Sequence, residues 1–163
     1  QPGHGEGDLI IGAGGQSAIG TLVERTSRFT KLVHLDGDRT TGTVTPALIK
    51  ALRPVASHLR RSLTWDQGME MAEHHLISGA LGIEVYFCDP ASPWQRGTNE
   101  NTNGLLRQYF PKGADLSHVT PADLKRVERE INARPRKSLG GRSADEVFRD
   151  LRAILDPHRC DAH

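Results

Sequence analysis

DLIIGAGGQSAIGTLVERTSRFTKLVHL, Asp8 to Leu35, holds three short apolar runs rich in β-branched residues: Asp8 to Ile11, Ile19 to Val23 and Phe29 to Leu35. Gly12-Ala13-Gly14-Gly15 separates the first two, and the polar Arg25 to Arg28 separates the last two. Runs of this length bounded by turn residues read as three neighbouring strands joined in a meander.

Beyond them the apolar period lengthens. Val44, Leu48, Ala51 and Leu52 fall at helical spacing, and Pro54 marks the expected end of that helix. A strand is expected at Ser62 to Trp65, then a helix from about Glu70 to Leu81 stopped by Gly82, then a strand at Ile83 to Phe87. After a loop holding Pro90 and Pro93, Thr98 to Tyr109 reads as a helix with Leu105, Leu106 and Tyr109 inward. A further helix opens with Thr120 as N-cap and Pro121 in its first turn and ends by Arg134. The last opens with a capping box at Ser143 to Glu146 and should bury Val147, Leu151 and Leu155. Three strands, then helix, strand, helix, strand and three helices, make an α/β arrangement in which helices cover a mixed sheet.

A chain of 163 residues, 36% hydrophobic, suits one domain with one real core. We expect the core to span 1–155, with a polar tail at 156–163. The net charge of +1 names no partner, but Asp123 to Arg142 carries seven basic residues against three acidic ones and could face phosphates. Cys88 and Cys160 belong to no C-x-x-C pair, and the tail residues His158, Cys160 and His163 match no standard zinc spacing. A reducing cytoplasm fits. Neither an 18-residue apolar run nor a secretory signal is present. The chain begins at Gln1 and is expected to be a piece of something longer.

Three carboxylates stand out by position. Asp8 enters the first strand, where an unpaired charge would be costly to bury. Asp66 follows the fourth strand, and Glu100 lies in the first turn of the helix after the fifth. Singly, each has an ordinary structural role as strand-start, turn or helix N-terminal acid. Together they can meet beyond the strand ends, where ligands collect in open α/β sheets. That requires the first and fourth strands to be parallel neighbours, with the fourth on the far side of the first from the second. Converging carboxylates repel unless a cation lies between them, and oxygen-only ligands suit Mg²⁺ or Mn²⁺. Two such ions about 3.5 to 4 Å apart clamp the oxygens of an in-line phosphoryl displacement.

At these residues the chain resembles the DDE transposases of the insertion sequence 30 family, from His4 to about Leu151. The resemblance is carried by GEGDLIIG (Gly5 to Gly12), SAIGTLVERTSRF (Ser17 to Phe29), RRSLTWDQGMEMA (Arg60 to Ala72) and VYFCDPASPWQRGTNENTNGLLRQYFPKG (Val85 to Gly113). It implies a ribonuclease H-like, retroviral-integrase-like three-layer fold, a mixed five-stranded sheet with helices on both faces. The Asp, Asp, Glu triad falls on Asp8, Asp66 and Glu100, with 33 residues between the last two. The implied chemistry is metal-dependent hydrolysis at transposon ends, followed by attack of the freed 3′-hydroxyl on target DNA, with two Mg²⁺ or Mn²⁺ ions expected. Implied partners are transposon-end and target DNA, with no membrane, a homo-oligomer being compatible, in the bacterial cytoplasm on the nucleoid. Gln95, Arg96, Asn99, Asn103, Arg107 and Lys112 are the candidate DNA contacts, since amides and guanidinium groups suit phosphate and sugar positioning. Trp94 is expected to pack. Members usually carry Trp where this chain has Gly5 and Gly141, and a polar residue in place of Met69, which should alter local packing and spare the metal site. The family's amino-terminal helix-turn-helix region has no counterpart before Gln1.

Two other readings compete with this one. A tyrosine recombinase would need Tyr86 or Tyr109 beside clustered Arg and His, whereas Tyr86 is expected in an apolar strand and Tyr109 facing the core. A decayed remnant that only binds DNA or dimerises is favoured by Gly5, Gly141 and the missing amino-terminal region. The three intact acids argue against it.

Overall fold

The computed structural model describes residues 1–35, 40–65, 71–88 and 97–154, without the side chains of Asn99 and Glu100. Five strands form one sheet in the order β3-β2-β1-β4-β5. β1 (His4–Ile11), β2 (Ala18–Glu24) and β3 (Thr30–His34) are the antiparallel meander. β4 (Ser62–Trp65) and β5 (Glu84–Phe87) add to the other side of β1 in parallel. The sheet is therefore mixed, and the pairing of β4 beside β1 is the one the acids require.

The helices are α1 (Thr41–Leu52), α2 (His74–Leu81), α3 (Gly97–Leu106), α4 (Pro121–Ala133) and α5 (Ala144–Ile154). Side chains alternate across a strand, and β1 shows it: Leu9 packs with Leu63, Trp65, Val44, Leu48, Ile77 and Leu81 on the α1–α2 face. Ile10 packs with Ile19, Leu106, Phe110, Leu124, Val127 and Ile131 on the α3–α4 face. Two apolar layers, one on each face, explain why β1 and β2 are apolar on both sides.

The differences from expectation have physical causes. β1 begins four residues before Asp8, because Gly5 and Glu6 pair with both β2 and β4, His4 with β4 and Gly7 with β2, despite two glycines and a charge. α1 starts at Thr41 and carries Pro46 inside it, exposed to solvent. α2 is described only from His74 and closes, as expected, on the left-handed Gly82. In α5 the inward residues are Ala144 and Phe148, while Val147 and Leu151 are half-buried. Phe148 stacks on Phe29 with ring centroids 4.2 Å apart, a contact 119 positions away that no local period reveals. Leu155 and the tail lie outside the described residues.

Candidate active site

Asp8 sits on β1 two residues before Ile10, so its side chain shares the α3–α4 face. It is half-buried. Its Oδ1 accepts from the Leu9 backbone N–H at 2.8 Å and its Oδ2 from the Asn103 amide at 3.3 Å. The opposing Thr21 hydroxyl donates to the Asp8 carbonyl at 3.2 Å. One carboxylate is thus oriented by its own strand and by α3, which packs across β1 and β2.

The remaining candidates divide three ways. Asp66, Gln95, Arg96, Met69 and Trp94 lie outside the described residues; β4 ends at Trp65, the residue before Asp66. Glu100 and Asn99 belong to α3, near its start. Of the others, Asn103 meets Asp8, Arg107 is half-buried and donates to the Phe110 carbonyl at 3.3 Å, and Lys112 is exposed on the loop beyond. Among the described residues no group of three or more His, Cys, Asp or Glu could hold a metal ion. The donor chemistry of Asp8 still suits a hard divalent ion: an oxygen ligand fixed in place by amide N–H groups.

Five residues absent from the sequence-derived candidates surround the neighbouring row. Glu6, two positions before Asp8 on the same face, is 1% exposed, with Arg25 Nε 3.7 Å from its Oε1. Arg25 also donates to the Thr64 hydroxyl at 3.4 Å, and Arg28 to the Thr98 hydroxyl at 2.5 Å. The available signal was a second charge, Glu6, two residues before Asp8 and so on the same face of an extended strand.

The basic stretch does not act as one surface. Lys125, Arg126 and Arg129 are exposed on α4. Arg134, however, donates to the Tyr109 hydroxyl at 2.8 Å and lies over its ring, and Arg142 pairs with Glu146 and Asp150. Arg136 donates to the Ile131 carbonyl, and burial pulls its guanidinium below its ordinary value. Tyr86 is 51% exposed on the edge strand, a correction to the expectation that it lies in an apolar setting. Tyr109 is half-buried and engaged by Arg134, so it is not poised as a nucleophile.

A parallel β1–β4 pair, a carboxylate on β1 and a helix laid across it define an integrase-type core, and the chain belongs to the integrase core domain family, whose model matches residues 1–93. It is 52% identical over 93% of its length to the transposase for insertion sequence element IS1086 of Cupriavidus metallidurans, covering 44% of that protein. It is 49% identical over 94% of its length to transposase InsI for insertion sequence element IS30A of Escherichia coli, covering 40% of it. The chain therefore spans less than half the length of these curated relatives. Its fold is that of the catalytic core domain of BIV integrase, with a TM-score of 0.69 over 94% of this chain and 98% of that one at 17% identity.

Proposed function

We propose that this chain is the catalytic core of a transposase, a polynucleotidyl transferase that cuts and rejoins DNA at a metal site formed by Asp8, Asp66 and Glu100. The observation that carries the reading is the register of β1 and β4. Glu6 pairs with Thr64 in parallel, so two further steps along the same ladder would set Asp66 beside Asp8. Glu100 is three residues before Asn103 on α3, and residues so spaced are neighbours on a helix surface. Because Asn103 reaches Asp8, that spacing supports Glu100 reaching the same place.

Asp8, Asp66 and Glu100 would hold one or two Mg²⁺ or Mn²⁺ ions. The chemistry supplied is activation of water for strand hydrolysis and of a 3′-hydroxyl for strand transfer, with charge stabilisation on the phosphate. Asn103 holds Asp8 in orientation so that its oxygens are presented along the sheet face. Gln95, Arg96, Asn99 and Lys112 are the proposed strand contacts; Arg107 serves first to close the end of α3 through the Phe110 carbonyl. Residues 1–155 form the core in this reading. DNA ends and target DNA are its substrates, in a homo-oligomer on the nucleoid of a bacterial cytoplasm. Among the described residues no helix is long and apolar enough to cross a membrane.

The test is Asp66→Asn, which keeps volume and removes the charge that holds an ion. Nicking of supercoiled plasmid in Mn²⁺ should disappear while circular dichroism stays unchanged. Persistent nicking by the clean variant removes Asp66 from the metal site. A wild-type chain that is folded but inert would favour the decayed-remnant reading.

A further inference from the structure

We propose that the groove beside the amino-terminal half of α3 is a track for a single-stranded segment of DNA, with Arg25 and Arg28 on its phosphates and the Tyr86 ring as a platform for one unpaired base. This rests on the reading of the chain as a DNA strand-transfer core.

Glu6, Thr64 and Tyr86 are paired across β1, β4 and β5 and so form one row on the face that carries Asp8. Asp8 is two residues further along β1, about 7 Å at strand rise. The groove lined by Arg25, Arg28, Thr64, Tyr86, Thr98 and Asn101 therefore leads directly away from that carboxylate. Its walls are preorganised. The Glu24 carboxylate accepts from the backbone N–H groups of Gly3, Thr26 and Ser27 and from the Ser27 hydroxyl, locking the turn that bears both arginines. Arg28 takes a left-handed backbone, φ 65°, unusual for a residue with a side chain. Held so, its guanidinium reaches Thr98 at the start of α3.

The charge suits a phosphodiester. Among the described residues that line the groove the one acid is Glu6, almost wholly buried beneath Arg25, whose side chain is 40% exposed, so a ligand on that wall meets guanidinium before carboxylate; Glu84 stands only at the hydroxyl edge of the Tyr86 ring. Guanidinium groups present forked donors that match phosphate oxygens. Opposite them stands an aromatic ring half open to solvent on an edge strand; its neighbour Phe87 instead meets His74 of α2 on the other face. A ring beside a basic groove stacks a base only when that base is unpaired and turned outward, since a duplex keeps its bases stacked on one another. The occupant is thus a strand separated from its complement at a DNA end.

The test uses the full chain and fluorescence anisotropy, with a short duplex either blunt or carrying an unpaired tail at one end. The tailed duplex should bind roughly five- to tenfold tighter, the lower end of what one base stacked on an aromatic supports. Tyr86→Ala, at an exposed position, should erase that preference while blunt-duplex binding persists. Tyr86→Phe should keep it, because the ring remains and only the hydroxyl contact to Glu84 is lost. Arg28→Asn, which tolerates the left-handed backbone, should weaken tail binding as well. Equal affinity for both duplexes, or an undiminished preference in Tyr86→Ala, overturns the track and leaves the strand-transfer reading standing. Failure to bind either duplex overturns both.

Discussion

Gly5 and Gly7 lie two residues apart on the same face of β1, and they are glycine for opposite reasons. A Cβ on Gly7 would stand 2.3 Å from Cε3 and Cζ3 of Trp65, a ring that is 0% exposed and cannot retreat. Trp65 is the last residue of β4 before Asp66, so this close approach also sets how β4 lies along β1 near the proposed metal ligands. A Cβ on Gly5 would meet only ordinary contacts, 3.5 Å from the Ser62 carbonyl and 3.8 Å from Leu63, beside an apolar cavity lined by Leu52, Val55, Leu59, Leu63 and Ile83. Gly7→Ala should therefore cost about 1–3 kcal/mol by overpacking. Gly5→Ala should stabilise by about 0.4–1 kcal/mol, because the unfolded chain loses freedom and the strand gains contact. In thermal melts the two variants should move Tm in opposite directions, and shifts of the same sign would refute the packing argument. Gly141, the second place where the resemblance leads one to expect Trp, has φ 84° with open space around it. A tryptophan there would strain the backbone, whereas Gly5 leaves a space in the core.

At the scale of elements, α4 is the best specified by its own sequence. Thr120 accepts from the Asp123 N–H at 3.2 Å and the Asp123 carboxylate accepts from the Thr120 N–H at 3.0 Å, a complete capping box with Pro121 in the first turn. Those bonds hold the Asp123 carboxyl below its ordinary value. A depressed acid contributes stability above its unfolded value and loses it as pH falls through its folded one. The Tm gap between the wild type and Asp123→Ala should thus stay constant from neutral pH to about pH 4 and close below it. A gap independent of pH down to full protonation would mean that the carboxylate is not the cap. Local chemistry of this kind made α4, the box at Ser143–Glu146 and the Gly82 stop of α2 legible beforehand. It could not reveal the early start of β1 or the inward turn of Phe148, because pairing with two strands and a stack on a distant ring decide those.

For the molecule as a whole, the sheet order follows from a simple constraint: β1 is flanked by β2 on one side and β4 on the other, which brings the end of β4 to the Asp8 row. The class of fold and the placing of Asp8 on the first strand were legible because both rest on strand pattern and chain order, although Asp8 lies within that strand and not at its entry. The arginine groove was not, because Glu6 and Arg25 are 19 residues apart and meet only once β1 and β2 have paired. If the strand ends assemble a divalent site, the folded chain binds the ion and the unfolded chain does not, so binding must stabilise the fold. At an ion concentration a hundredfold above the dissociation constant the gain is about 2.7 kcal/mol, or roughly 5–10 °C in Tm for a chain of this size. Asp8→Asn keeps the shape of the side chain and one acceptor oxygen for the Leu9 N–H, puts an NH2 where the Asn103 amide now donates, and removes the charge an ion requires. Mg²⁺ titration should therefore raise the melting temperature of the wild type and leave Asp8→Asn flat. Since stabilisation by non-specific screening would act on both proteins alike, an equal rise in the variant, or none in the wild type, would remove Asp8 from any metal site.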